Sequence, residues 1–315
     1  MDETGDTARL ARSFLPGTAV LELTFRCNHA CLFCSCPWFA PDGRFPRQPE
    51  MGVTDWRRSI ARLCEMGVNN LAFTGGEPLL KEGLEELLEF AATCAVEHVR
   101  SRDGQLVFHQ APPKLYLLSN GQALTRPLLE LCRRLDVALS LSLPGLATFA
   151  EHTGGGDPDP VLGWFQEARA LGIRTTVGIT VTRLNIDELY ETIAAALLAG
   201  ADRLLLNRFL PGGRGLANLD RLSLDLDQIQ RMLLVAEEVL RSADRYGSVG
   251  TELPRCLLPS APFERLHVGT TCSAAAGFFT VGRGRTRPDL RRARPRSSPV
   301  LRTVCVRGRG PLDWS

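Results

Sequence analysis

Three cysteines near the start of the chain, Cys27, Cys31 and Cys34, stand in the run Cys27-Asn28-His29-Ala30-Cys31-Leu32-Phe33-Cys34. The spacing is C-x3-C-x2-C, with an aromatic residue directly before the third cysteine. Thiolates are ligands for iron–sulfur clusters and for zinc. Three of them this close can hold three corners of a [4Fe-4S] cube and leave one iron without a protein ligand, a place where a small molecule binds and is activated. A closed zinc site is the other reading of the same run. It needs a fourth ligand, which Cys36 or His29 could supply.

A second run, Phe73-Thr74-Gly75-Gly76-Glu77-Pro78, follows an apolar strand-like stretch. Two adjacent glycines let a ligand approach the backbone closely. Glu77 could accept a hydrogen bond from a ligand amine. Pro78 suits the first position of a helix, where its missing N–H costs nothing. Taken alone, the run also reads as a tight strand-to-helix turn.

The elements that position these residues show as a strand–helix rhythm. Apolar strand-like runs occur at Val20–Phe25, Asn70–Thr74, Leu115–Ser119, Val137–Leu143, Thr175–Val181 and Arg203–Asn207. Between them, apolar residues recur three and four apart, as on one helix face. Trp56, Ile60, Leu63 and Cys64 are one such set; Leu128, Leu131, Cys132 and Leu135 are another. Gly67, Gly172 and Gly200 stand directly before strands and serve as helix stops. Strands alternating with helices imply a parallel sheet with helices outside it, whose ligands collect at the C-terminal strand ends. Both motifs follow strands, so both fall on that edge. Pro37–Pro49 reads as a loop beside the cysteines, and His98–Pro113 as a polar insertion or small hairpin.

Ten cysteines with no secretory signal in Met1–Thr18 argue for metal ligands or buried thiols in a reducing compartment rather than a disulfide scaffold. No apolar run reaches the roughly 18–20 residues that cross a bilayer. Cys64, Cys94 and Cys132 fall at helix stripes and read as core, as do His98, His109 and His267. The net charge of +2 hides an asymmetry: residues 1–282 hold 27 basic and 33 acidic residues, while Arg283–Arg309 holds ten arginines and one acid. Almost no aromatics interleave with those arginines, so neither a nucleic-acid nor a membrane partner is expected.

With both motifs on one strand edge, the chain resembles the radical S-adenosylmethionine (SAM) enzymes, whose signature is C-x3-C-x-(aromatic)-C followed by a GGE(P) strand end. The resemblance covers roughly Ala19–Gly215. It implies an α/β fold, a partial (β/α)6 TIM-like barrel with a short irregular C-terminal extension. It implies that Cys27, Cys31 and Cys34 ligate the cluster and that SAM chelates the fourth iron through its amino and carboxylate groups. By the same resemblance Phe33 lies near the adenine, and Gly75, Gly76 and Glu77, with Pro78 closing the motif, receive the methionyl amine. Asn120 marks the third strand end, Ser140 and Ser142 meet the ribose or carboxylate, and the backbone at Asn207 takes the adenine edge. One-electron cleavage of SAM then yields a 5′-deoxyadenosyl radical that abstracts hydrogen from an unactivated C–H bond.

Asn207-Arg208-Phe209 with Gly213-Arg214-Gly215 is similar to the sixth strand end of the peptide- and cofactor-maturing branch. That branch carries a SPASM or twitch extension with auxiliary clusters. Cys256 and Cys272 match its first ligands, but Arg287 stands where the next cysteine belongs. The resemblance thus breaks off after Gly282, as after a truncation or a change of reading frame, and does not carry an intact auxiliary Fe-S cluster.

The expected organisation is a tail at 1–18, a core barrel at 19–215, a helix and incomplete SPASM-like region at 216–282, and an Arg-rich tail at 283–315. The expected function is radical modification of a ribosomally made peptide or peptide-derived cofactor in the cytoplasm. A flavodoxin- or ferredoxin-type electron donor would serve it, and a separate small protein would bind the precursor peptide. The alternatives are a haem, tetrapyrrole or other small-molecule substrate, and a non-catalytic or defective SAM- and cluster-binding protein.

Overall fold

The computed structural model describes residues 16–102, 105–260, 262–274 and 276–282. The Arg-rich tail, Arg287 and Cys305 lie outside them. The described residues open with β1 (Thr18–Glu22), followed by α1 (Val53–Glu65), β2 (Asn70–Thr74) and α2 (Leu84–Thr93). A hairpin of β3 (Val96–Arg102) and β4 (Gln105–Ala111) precedes β5 (Lys114–Ser119), α3 (Arg126–Arg134) and β6 (Val137–Ser142). Next come α4 (Phe149–Thr153), α5 (Asp159–Ala170), β7 (Thr175–Val181), α6 (Leu189–Ala199) and β8 (Arg203–Arg208). The described residues end with α7 (Leu219–Leu222), α8 (Leu226–Ser242), β9 (Tyr246–Val249), β10 (Leu266–Val268) and β11 (Phe278–Val281).

Nine strands form one sheet in the order β10-β9-β8-β7-β6-β5-β2-β1-β11, and every pairing in it is parallel. The six expected strands are its middle, β8 to β1. The other three lie between residues 216 and 282 and extend both edges, so this described stretch is more regular than the irregular extension expected. At three or four residues each, they are too short to show a period. No pairing joins β10 to β11 among the described residues, and the barrel is open.

The side-chain period of two separates the faces. Leu21, Phe73, Leu117, Leu139, Ile179 and Leu206 belong to the main buried core that the helices cover. Val20, Ala72, Tyr116 and Ala138, in register on four adjacent strands, form a small cluster on the other face. Burying both faces is what makes the strands nearly all apolar.

Helix ends follow their sequence signals. Gly67, Gly172 and Gly200 have φ of 87°, 70° and 122°. Thr125 accepts from Leu128 N–H to cap α3, and Asp225 and Gln228 form a capping box on α8. The insertion expected at His98–Pro113 is the β3–β4 hairpin. His98 and His109 stack across it, half-buried, and His267 is exposed, so none of the three is a core residue. Cys64 and Cys132 are buried as expected; Cys94 is half-buried. No described helix is long and apolar enough to cross a membrane.

Candidate functional site

The two motifs are joined by backbone before any ligand is considered. Beyond β1 and β2 the chains continue side by side: Leu23 N–H donates to Thr74 O, Gly76 N–H to Thr24 O and Glu77 N–H to Arg26 O, at 2.8, 2.8 and 2.7 Å. Gly75 has φ of 148°. A Cβ on Gly75 would lie 2.5 Å from Thr24 O, and one on Gly76 would lie 2.1 Å from Arg26 O. The chain's own backbone therefore requires both glycines.

Glu77 is 1% exposed and stitches β2 to β5. Its Oε1 accepts from Ser119 Oγ at 2.8 Å and Leu79 N–H at 3.1 Å, and its Oε2 from Asn120 N–H at 2.8 Å. Burial pushes its carboxyl up to about 7 against these donors. Asn120 reaches on to the cysteine loop, donating from Nδ2 to Asn28 Oδ1 at 2.7 Å. The three strand ends are thus laced together.

Cys27, Cys31 and Cys34 all line one cleft of about 280 Å³. Phe33, Gly75, Gly76, Glu77, Asn120, Ser140, Ser142 and Asn207 line it too. Pro78 does not; it is buried and opens a 3-10 turn over Pro78–Leu80. Cys256 and Cys272 are exposed and do not line the cleft. Sequence reasoning assigned no role to Trp38, Phe149 and Gly250, which also line the cleft. Thr180, in the run similar to the family's fifth strand end, lines it too and is the register partner of Asn207 across β7 and β8.

Burial pushes the Cys27 thiol up to about 11. Cys31 is raised as well, by burial and then by the neighbouring Cys34 and Cys27. Three half-buried thiols around one cleft fit a cationic inorganic group among them. Among the described residues no three Cys, His, Asp or Glu side chains converge on one point as a single-ion site requires. Zinc, at about 2.3 Å from each sulfur, needs that convergence; a cube offers each thiolate its own iron. His29, 8% exposed, also lines the cleft, and its Nδ1 has no hydrogen-bond partner.

A loop from the far side of the sheet closes against the cysteines. Arg214, 3% exposed, donates from Nε and Nη2 to the two carboxylate oxygens of Asp42 at 2.6 and 2.7 Å, and from Nη2 to Trp38 O at 3.0 Å. The guanidinium holds the Asp42 carboxyl below its usual range. Phe25 stacks on Trp38 at 5.4 Å, walling the same side.

Comparison with known proteins agrees with this geometry. The chain is 29% identical over 233 residues to the PqqA peptide cyclase of Xanthomonas campestris pv. campestris, covering 72% of this chain and 56% of the relative. It is 34% identical over 173 residues to the GTP 3′,8-cyclase of a Synechococcus strain, covering 51% and 45%. The chain spans about half the length of these curated relatives. Among solved structures it is similar in fold to Streptococcus suis SuiB bound to S-adenosylmethionine, with a TM-score of 0.63 at 16% identity, over 88% of this chain and 61% of that one. SuiB has also been solved with its precursor peptide SuiA. These relatives are enzymes of a superfamily that uses a [4Fe-4S] cluster and SAM. The family model for that superfamily matches residues 21–196, more than half of the sequence, and the chain belongs to the radical SAM superfamily.

Proposed function

We propose that this chain is a radical SAM enzyme that modifies a ribosomally made peptide or a peptide-derived cofactor precursor. The observation that carries the reading is that the three thiols and the Thr74–Glu77 strand end share one cleft. When bound, the cluster and SAM supply one-electron cleavage of SAM to a 5′-deoxyadenosyl radical and methionine.

Cys27, Cys31 and Cys34 would hold the cluster. The Gly75–Glu77 strand end would receive the methionyl amine of SAM, with Glu77 fixed by its three donors. Ser140 and Ser142 offer hydroxyls to the ribose or carboxylate. Phe33 and the backbone at Asn207 serve the adenine, and Asn120 holds the wall between them. Trp38, Phe25 and Phe149 keep water from the reacting atoms. The assignment to a core at 19–215 and a SPASM-like region at 216–282 belongs to the same reading, as do a flavodoxin- or ferredoxin-type electron donor, a separate peptide-binding protein and a cytoplasmic location.

The peptide assignment draws on similarity to the PqqA peptide cyclase over 72% of this chain. The similarity to GTP 3′,8-cyclase favours a second reading, a small-molecule substrate. Incubation of the reconstituted protein with short peptides encoded beside its gene, and in parallel with tetrapyrroles and GTP, separates them. The expected result is more 5′-deoxyadenosine with a peptide than without it, and a peptide product whose mass differs from that of the precursor. Stimulation by a small molecule alone contradicts the peptide assignment.

A further inference from the structure

The segment after β8 returns to the cysteine loop and meets it backbone to backbone. A Cβ on Gly213 would lie 2.6 Å from Cys36 O and 2.7 Å from Cys34 O, and one on Gly212 would lie 2.7 Å from Ser35 O. Gly215 N–H donates to Cys34 O and the Asn218 side chain to Leu32 O, both at 3.3 Å. Arg214 stands in the middle of this contact. Its fork holds Asp42 and Trp38, beyond the third cysteine, and it lies over the Phe45 ring at 5.3 Å.

The two chain neighbours of Arg214, Gly213 and Gly215, both meet Cys34 O, so its buried guanidinium belongs to the segment that rests on the cysteine loop. Its counter-charge is incomplete in burial: the Arg214 side chain is 3% exposed and that of Asp42 33%. Taking a guanidinium this far from water is costly unless negative charge gathers near it. Three thiolates holding a cluster supply such charge, and gaining an electron adds one more unit of it.

We propose that Arg214 is a positioning residue for the cluster, clasping the loop that carries the three thiols and setting the reduction potential of the group they hold. The inference rests on the cluster reading above. Net charge around an iron–sulfur cluster is one of the terms that fix its potential. A buried cation favours the reduced state and moves the potential in the positive direction. Asp42 partly offsets that cation, so removing each partner must move the potential in opposite directions.

The test is an EPR-monitored redox titration of the reconstituted protein, without SAM or substrate, for the wild type, R214Q, R214K and D42N. R214Q is expected to titrate at a more negative potential and D42N at a more positive one. R214K, which keeps the charge and loses the fork, is expected between R214Q and the wild type. A structural role alone would move R214Q and D42N the same way, since both loosen one contact. Equal potentials, or shifts of the same sign, overturn the proposal. Where R214Q takes up too little iron to titrate, D42N decides: a positive shift supports the charge role and any other result overturns it. A wild-type protein that loads no cluster would defeat the proposed function itself and is thereby distinguished.

Discussion

Asn120 Nδ2 donates to Asn28 Oδ1 at 2.7 Å, joining the end of β5 to the residue directly after Cys27. The orientation of the Asn120 amide is fixed, because its Oδ1 accepts from Gln122 N–H at 3.1 Å. One neutral hydrogen bond of this kind contributes about 1 kcal/mol. N28A is expected to open the 27–34 loop about five- to tenfold more often. Amide hydrogen exchange of that loop measures it; unchanged exchange would mean that the contact does not hold the loop.

The glycine motif makes a sharper prediction. In G76A the new Cβ meets Arg26 O at 2.1 Å, and backbone on both sides leaves no flexible group to move. The strand ends must separate, carrying the cysteine loop away from β2. G76A is expected to take up less than half the wild-type iron and to lose about 2 kcal/mol or more. G163A, in α5 with nothing within 4 Å of the new carbon, is the control. It is expected to gain about 0.5–1 kcal/mol from helix propensity. Iron analysis and urea unfolding of both variants check the pair.

Glu77 should show in the pH dependence of stability. Its folded carboxyl is raised to about 7 from an ordinary 4.5, with burial as the cause. Between these values the folded chain binds more protons than the unfolded one, so stability falls as pH rises through the window. The full span amounts to about 3 kcal/mol. E77Q removes the titration but sets an amide N–H against one of three donors, costing about 1–3 kcal/mol at every pH. Urea unfolding of the metal-free chain at about pH 5 and about pH 7.5 is expected to show a loss in the wild type that E77Q lacks. Parallel losses in both proteins would contradict it.

Much of this arrangement was legible in the sequence because its signals are local. The cysteine spacing, the strand end at Thr74–Glu77 and the helix-stopping glycines each lie within a few residues, and the six core strands show as apolar runs. Three features were not legible. β9, β10 and β11 are three or four residues long and are held by pairing rather than by pattern. The Arg214–Asp42 pair spans 172 residues, and nothing near either side chain points to the other. The backbone reason for Gly75 and Gly76 was the third: the sequence shows that a side chain is excluded, and only the fold shows that Thr24 and Arg26 exclude it.

The central claim is that Cys27, Cys31 and Cys34 hold a cluster that cleaves SAM. The most direct measurement is 5′-deoxyadenosine formed by the anaerobically reconstituted protein with dithionite and SAM. The expected result is accumulation of 5′-deoxyadenosine and methionine in the wild type and none with C27A/C31A/C34A. A cluster-loaded wild type that forms no 5′-deoxyadenosine, or a triple variant that forms as much, would contradict the account.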